Sequence, residues 1–183
     1  MTFEELLRQK LEIVADIRSY WPRTPAGKIV AYAGEESREI QEAVDVSDLW
    51  RNDFNDGIFQ STHIWVELTV EGAAWLLGGY LHHILSIVPV IDDTDRMDKF
   101  SPFFTDFAVQ TACSVLRDNR SISCCTIETT RTLQQTDPAL FQLTARAVAW
   151  MLMADELFAG KLFYFEPDDV LQLRGNWELS SAS

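Results

Sequence analysis

GAAWLLGGYLHHILSIVPVI, residues 72–91, runs for twenty residues without a formal charge, and its reading decides the fold. The stretch is long enough to cross a bilayer. However, the Gly78-Gly79 pair, the adjacent His82 and His83 and Pro89 fit a helix buried in protein better than one exposed to lipid. Upstream, interrupted by Glu67 and Glu71, a largely apolar helical pattern extends to Gln60. The spacing therefore predicts one long helix from Gln60 to about Val88, apolar nearly all round, of the kind that occupies the middle of a bundle. Pro89 ends it.

Helical spacing continues on both sides. Phe3 to Tyr20 carries apolar residues at 3, 6, 7, 11, 14 and 17, one stripe of an amphipathic helix that stops before WPRTP. Thr24 followed by Pro25 reads as a cap and first turn, opening a second helix to about Val44. DVSDLWRNDFNDG is turn-rich, with room for a short helix around Leu49 to Phe54. IDDTDRMDK is a charged loop that lacks the Gly and terminal Glu of a calcium loop. Ser101-Pro102 then signals a helix to about Asp118.

Residues 121–135 are β-branched and polar, so helix and strand are hard to separate there. Asp137-Pro138 caps a helix through to Ala159, with Gly160 in the stop position. LFYF, 162–165, is either a short strand or a terminal extension. The sum is an all-α bundle of five or six helices. It forms a single domain over residues 1–178, with a loose Ser-rich tail at 179–183.

Charge narrows the function. The chain has 28 acidic and 15 basic residues, a formal net charge of -13, and Arg and Lys form no basic stripe. Such a field repels nucleic acid. Cys113, Cys124 and Cys125 are odd in number and lack paired CxxC spacing, which favours a reducing compartment. The early acids of MTFEELLRQKLEIV do not make a secretory signal. These readings together suggest a cytoplasmic protein with neither a membrane nor a nucleic-acid partner.

AGEESREIQEAV, residues 33–44, places four glutamates in twelve positions. On a wheel of about 100° per residue, Ile29, Tyr32, Ala33, Ile40 and Ala43 form the apolar stripe of the second helix. Glu36 falls in the middle of that stripe and Glu39 at its edge, whereas Glu35, Arg38, Gln41 and Glu42 lie on the other side. A carboxylate facing inward is costly unless it is paired, protonated or bound to a cation. On the central helix, His63, Glu67 and Glu71 follow at i, i+4 and i+8, with Gly78 and His82 continuing the line. Antiparallel packing would bring Glu36, Glu39, Glu67 and Glu71 together, an oxygen set that suits Mg²⁺ or Mn²⁺.

GEESREI (34–40) followed by VEL (66–68) is similar to the EExxE…ExxD pattern of the all-α NTP pyrophosphohydrolases, the group containing MazG, the dimeric dUTPases and phage dCTPases. The likeness covers residues 25–90, and LWRNDF (49–54) resembles a Trp-and-basic segment of some members. It implies that Glu36, Glu39 and Glu67 are metal ligands. Where the family has Asp three positions after the second Glu, this chain has Val70, and Glu71 follows one residue late. LRDN (116–119) matches the family's later helix only loosely.

The implied chemistry is attack of water on a nucleoside triphosphate with release of pyrophosphate, assisted by Mg²⁺ or Mn²⁺. Arg51 or Arg117 would meet the phosphates and Trp50 would stack on the base. Members of the group are often dimers or tetramers, and the large apolar fraction here is compatible with a homo-oligomeric interface.

A second class competes. An acidic helical protein also suits an inhibitor, an immunity-type protein or a DNA mimic that binds a basic protein surface without catalysis. Eight acids against two basic residues between Glu35 and Asp56 would serve that role. A diverged, inactive pyrophosphohydrolase fold recruited for binding would satisfy both readings. A single His on an apolar helix is more often a hydrogen-bonded core residue than a ligand, and adjacent histidines point in different directions.

Overall fold

The computed structural model describes residues 2–22, 28–31, 34–46, 68–88, 106–117 and 126–179. Within them lie seven helices: α1 (Phe3–Tyr20), α2 (Glu35–Val46), α3 (Val70–Ile87), α4 (Phe107–Leu116), α5 (Thr126–Thr136), α6 (Pro138–Leu157) and α7 (Pro167–Asn176). The protein is all-α; the described residues add one isolated antiparallel bridge, Val30 with Leu68, and no strand. The Thr24-Pro25 start, the short helix around Leu49 to Phe54 and the Ser101-Pro102 start lie outside the described residues.

α3 is the middle of the structure. Every residue from Gly72 to Leu85 is buried, and the helix packs against α1, α4 and α5. α6 packs against α1, α5 and α7 on a continuous apolar core. Local chemistry sets the helix ends. Thr2 and Glu5 form a reciprocal capping box on α1. The Asp137 carboxylate accepts from the Ala139 and Leu140 amides to start α6, with Pro138 in the first turn. The buried Lys10 ammonium of α1 donates to the Val88 carbonyl at the C-terminal end of α3, and burial pushes its pKa down.

The buried stripe of α1 is Leu6, Lys10, Ile13 and Ile17. This is rotated from the apolar spacing in the sequence: Leu7 and Leu11 of the expected stripe face solvent, Leu11 with 59% of its surface exposed. Lys10 reaches inward because its aliphatic stem packs in the core while its head finds a helix-end carbonyl.

Two larger departures concern the acidic segments. Residues 28–31 are not helical, since Val30 pairs with Leu68 and the Ile29 carbonyl accepts from the Thr69 amide at 2.7 Å. α2 therefore begins at Glu35, immediately after Gly34. The central helix is also shorter than expected. Thr69, with extended backbone, is its N-cap, and its side chain accepts from the Gly72 amide at 3.0 Å. The helical register expected to place Glu67 one turn before Glu71 thus does not run through Leu68 and Thr69.

Beyond α6 the chain turns at Ala159 and Gly160, both at positive φ. The buried Asp155 carboxylate holds this turn by accepting from the Leu162, Phe163 and Phe165 amides at 3.0, 2.8 and 3.3 Å. LFYF is this strapped turn, neither strand nor loose extension. α7, to which the sequence reading assigns no helix, follows with Pro167 in its first turn.

Candidate functional site

A cleft of about 280 Å³ opens where four segments meet. Trp21 and Pro22 contribute from the end of α1, Lys28 and Ile29 from the bridged segment, and Glu71, Gly72, Ala74 and Trp75 from the first turns of α3. Thr132, Leu133, Thr136, Asp137 and Leu140 complete it from the α5–α6 junction.

Two tryptophans form a fixed wall. The Trp21 indole N–H donates to the Trp75 carbonyl at 3.1 Å, and the Trp75 indole N–H donates to the Pro22 carbonyl at 3.0 Å. Both rings are almost fully buried, so these reciprocal bonds satisfy donors that would otherwise be stranded. Glycines permit the approach. A β-carbon on Gly78 would overlap the Trp21 ring, and one on Gly72 would overlap the Ile29 carbonyl oxygen, each at under 3.0 Å. The Thr69 hydroxyl also meets the Lys28 and Ile29 carbonyls, each at 3.3 Å.

Among the described residues, the cleft holds one member of the acidic set read from the sequence. Glu71 stands at its mouth, exposed, in the first turn of α3, where the helix dipole favours a carboxylate. Glu39 of α2 is exposed instead of lying at an inner edge. With Ile29 outside that helix, its described inward face is set by buried Ser37 and Ile40 with Gln41, whose side chain accepts from the Ile29 amide at 3.4 Å. Glu39 lies about 100° from Ile40 on the side away from Ser37, which turns it to water. Gln41, assigned to the outer side by the wheel, faces in.

The side chain of Glu36 lies outside the described residues, as do Glu67, Trp50, Arg51 and His63. Among the described residues no three His, Cys, Asp or Glu side chains gather to hold a metal ion. Among the described residues two carboxylates line the cleft; one oxygen of Asp137 is engaged by the Ala139 and Leu140 amides, and Glu71 is the exposed hard oxygen donor for a cation. One such donor fits Mg²⁺, which keeps several waters and is commonly held by one or two carboxylates together with substrate phosphates.

Arg117 does not line the cleft. Its guanidinium pairs with Asp169 of α7 at 2.7 Å and donates to the Cys113 carbonyl at 3.1 Å. The Trp177 indole N–H and the Asn176 amide also donate to the Leu116 carbonyl, so this corner ties α7 to the end of α4. Among the described residues Lys28 is the cation that lines the cleft, and the sequence reading did not single it out. Its only signal was its position three residues after Pro25, beside the β-branched Ile29-Val30 pair.

The two adjacent histidines do separate work. His82 accepts from the Arg18 Nε–H at 2.8 Å, linking α3 to α1, and His83 meets Asp106 before α4 at 2.9 Å. Burial, reinforced by the Arg18 charge, pushes the His82 pKa down to about 4, which suits a ring that must accept a hydrogen bond. Cys113 is fully buried, and burial pushes its thiol up to about 12, so it is an inert packing residue.

Neither family models, nor curated proteins, nor solved structures yield a match to this chain. Among the described residues no helix is long and apolar enough to cross a membrane. What the fold and site define is an all-α protein with a tryptophan-walled cleft on which, among the described residues, Lys28, Glu71 and Asp137 are the charged groups.

Proposed function

We propose that the protein is a Mg²⁺-dependent nucleoside triphosphate pyrophosphohydrolase that takes its nucleotide at the Trp21–Trp75 cleft. The observation that carries the reading is the position of Glu71. This carboxylate, one of the set singled out in the sequence, stands at the mouth of an aromatic-walled cleft with Lys28 also on its lining.

In this reading the flat base lies toward the tryptophan wall and the phosphates stay at the mouth. The Lys28 ammonium pairs with a phosphate oxygen. Glu71 orients a water molecule and accepts its proton as the water oxygen bonds to the α-phosphorus, and the bond from that phosphorus to the bridging oxygen breaks. The products are the nucleoside monophosphate and pyrophosphate. A Mg²⁺ ion brought in on the phosphates supplies neutralisation of charge at their oxygens.

The test is pyrophosphate release across a panel of deoxynucleoside and nucleoside triphosphates with Mg²⁺ or Mn²⁺. Turnover of at least one substrate is expected, falling at least ~100-fold in Glu71→Gln with the fold unchanged. Silence across the whole panel with both metals removes the enzyme reading.

A second reading draws on a different observation. Glu35, Glu39 and Glu42 of α2 are all exposed, with Arg38 spanning Glu35 and Glu42 at 4.0 and 3.7 Å. In a chain of net charge -13, such a face suits an inhibitor or immunity-type protein docking on a basic partner surface. Affinity for that partner would fall steeply with salt. Salt-insensitive binding would dismiss it.

A further inference from the structure

We infer that the cleft is a metal-independent seat for the uncharged heterocyclic end of the ligand, a nucleobase with its sugar, and that the charged end remains outside. The inference rests on the nucleotide reading above and specifies where the affinity comes from.

The wall and floor are apolar. Trp21, Ile29, Trp75, Leu133 and Leu140 are all buried and all line the cleft. Phosphate oxygens pressed against them would lose hydration without compensation, whereas a flat ring gains contact and stacking. Size argues the same way. A volume of about 280 Å³ sits at the low end for pockets that enclose small molecules, enough for a nucleoside but not for its triphosphate as well.

The charges are placed to match. One Asp137 carboxylate oxygen accepts from the Ala139 and Leu140 amides, both at 3.1 Å, and Lys28 and Glu71 are the exposed charged groups on the lining. At the α5 side the Thr136 hydroxyl donates to the Thr132 carbonyl at 2.6 Å, so its oxygen is left to accept from an exocyclic amino group or a ring N–H. The wall is also preformed. The reciprocal indole bonds fix both tryptophans before any ligand arrives, and a ligand that needs no ordering of its site loses less on binding. None of these features involves a metal.

The experiment is a titration of the full-length chain with nucleosides, monophosphates and triphosphates, in EDTA and in Mg²⁺, followed by tryptophan fluorescence and calorimetry. A nucleoside in EDTA should saturate one site, with a Kd within about tenfold of its triphosphate in Mg²⁺. Ala74→Leu, which pushes a larger side chain into the cleft, should weaken that binding at least about tenfold. If it fails to fold, Thr136→Val carries the comparison, with about threefold weakening expected for nucleosides that bear a donor on the base.

Triphosphate binding only with Mg²⁺, with no nucleoside binding, overturns the inference and leaves the nucleotide reading standing. No binding of any nucleotide overturns both. Nucleoside binding without turnover upholds the inference and removes the enzyme. Undiminished binding by the folded cleft variants places the ligand elsewhere and overturns the inference.

Discussion

Gly78→Ala tests the packing that builds the cleft. On helix propensity alone the change should stabilise α3 by about 1 kcal/mol. The structure reverses that expectation, because the added β-carbon would lie under 3.0 Å from Cδ2, Cε2 and Nε1 of Trp21. The ring cannot swing aside freely, being 2% exposed and held by its bond to the Trp75 carbonyl. Overpacking of this kind costs about 1–3 kcal/mol, and a displaced indole loses a hydrogen bond of about 1 kcal/mol as well.

The net expectation is a loss of about 1–3 kcal/mol, or a melting temperature lower by roughly 2–12 °C for a chain of this size. Urea unfolding, monitored by far-UV circular dichroism so that the moved tryptophan does not bias the signal, measures it. Gly175→Ala is the control. It lies in α7 with nothing within 4 Å of its added β-carbon, and it should stabilise by a few tenths to about 1 kcal/mol. Equal or greater stability of Gly78→Ala relative to wild type would refute the claim that Trp21 is clamped on α3.

Three further outcomes follow from other parts of the structure. Asp155→Ala strands the three buried or half-buried amides of Leu162, Phe163 and Phe165 and should cost at least about 3 kcal/mol, read as a urea midpoint shift. His82, at about 4 in the fold against 6.5 unfolded, takes up its proton less readily folded, so stability should fall as pH drops from about 6.5 toward 4. The His82 share of that loss is at most about 2 kcal/mol between roughly pH 7.5 and pH 5, and His82→Gln should flatten the slope by that share. Arg117→Met should lower stability by about 1–2 kcal/mol through the loss of the Asp169 pair, with nucleotide affinity unchanged because Arg117 is not on the cleft.

The helices were legible where a local signal acts alone. Asp137-Pro138 caps α6, WPRTP follows the end of α1, and the charge-free run from Gly72 is buried through to Leu85. What the sequence did not reveal depends on contacts between distant segments. A cap such as Asp137 is read from its neighbours, but the pairing of Val30 with Leu68 removes residues 28–31 from α2 and sets the start of α3 at Val70. With those residues gone the wheel turns, so Glu39 faces water and Gln41 faces in. The cleft was hidden for the same reason. Trp21, Lys28, Trp75 and Thr136 come from four separate segments, and no spacing rule links them. Arg117 shows the converse, because a cation placed by resemblance among phosphate contacts has an acidic partner, Asp169, that lies far away in sequence.

The most direct measurement is a crystal structure of the protein with Mn²⁺ and a non-hydrolysable deoxynucleoside triphosphate analogue. The base is expected against Trp21 and Trp75, a phosphate oxygen within reach of Lys28, and an anomalous peak for the ion beside the Glu71 carboxylate. A nucleotide bound elsewhere on the chain, or an ion remote from Glu71, would contradict the proposed site.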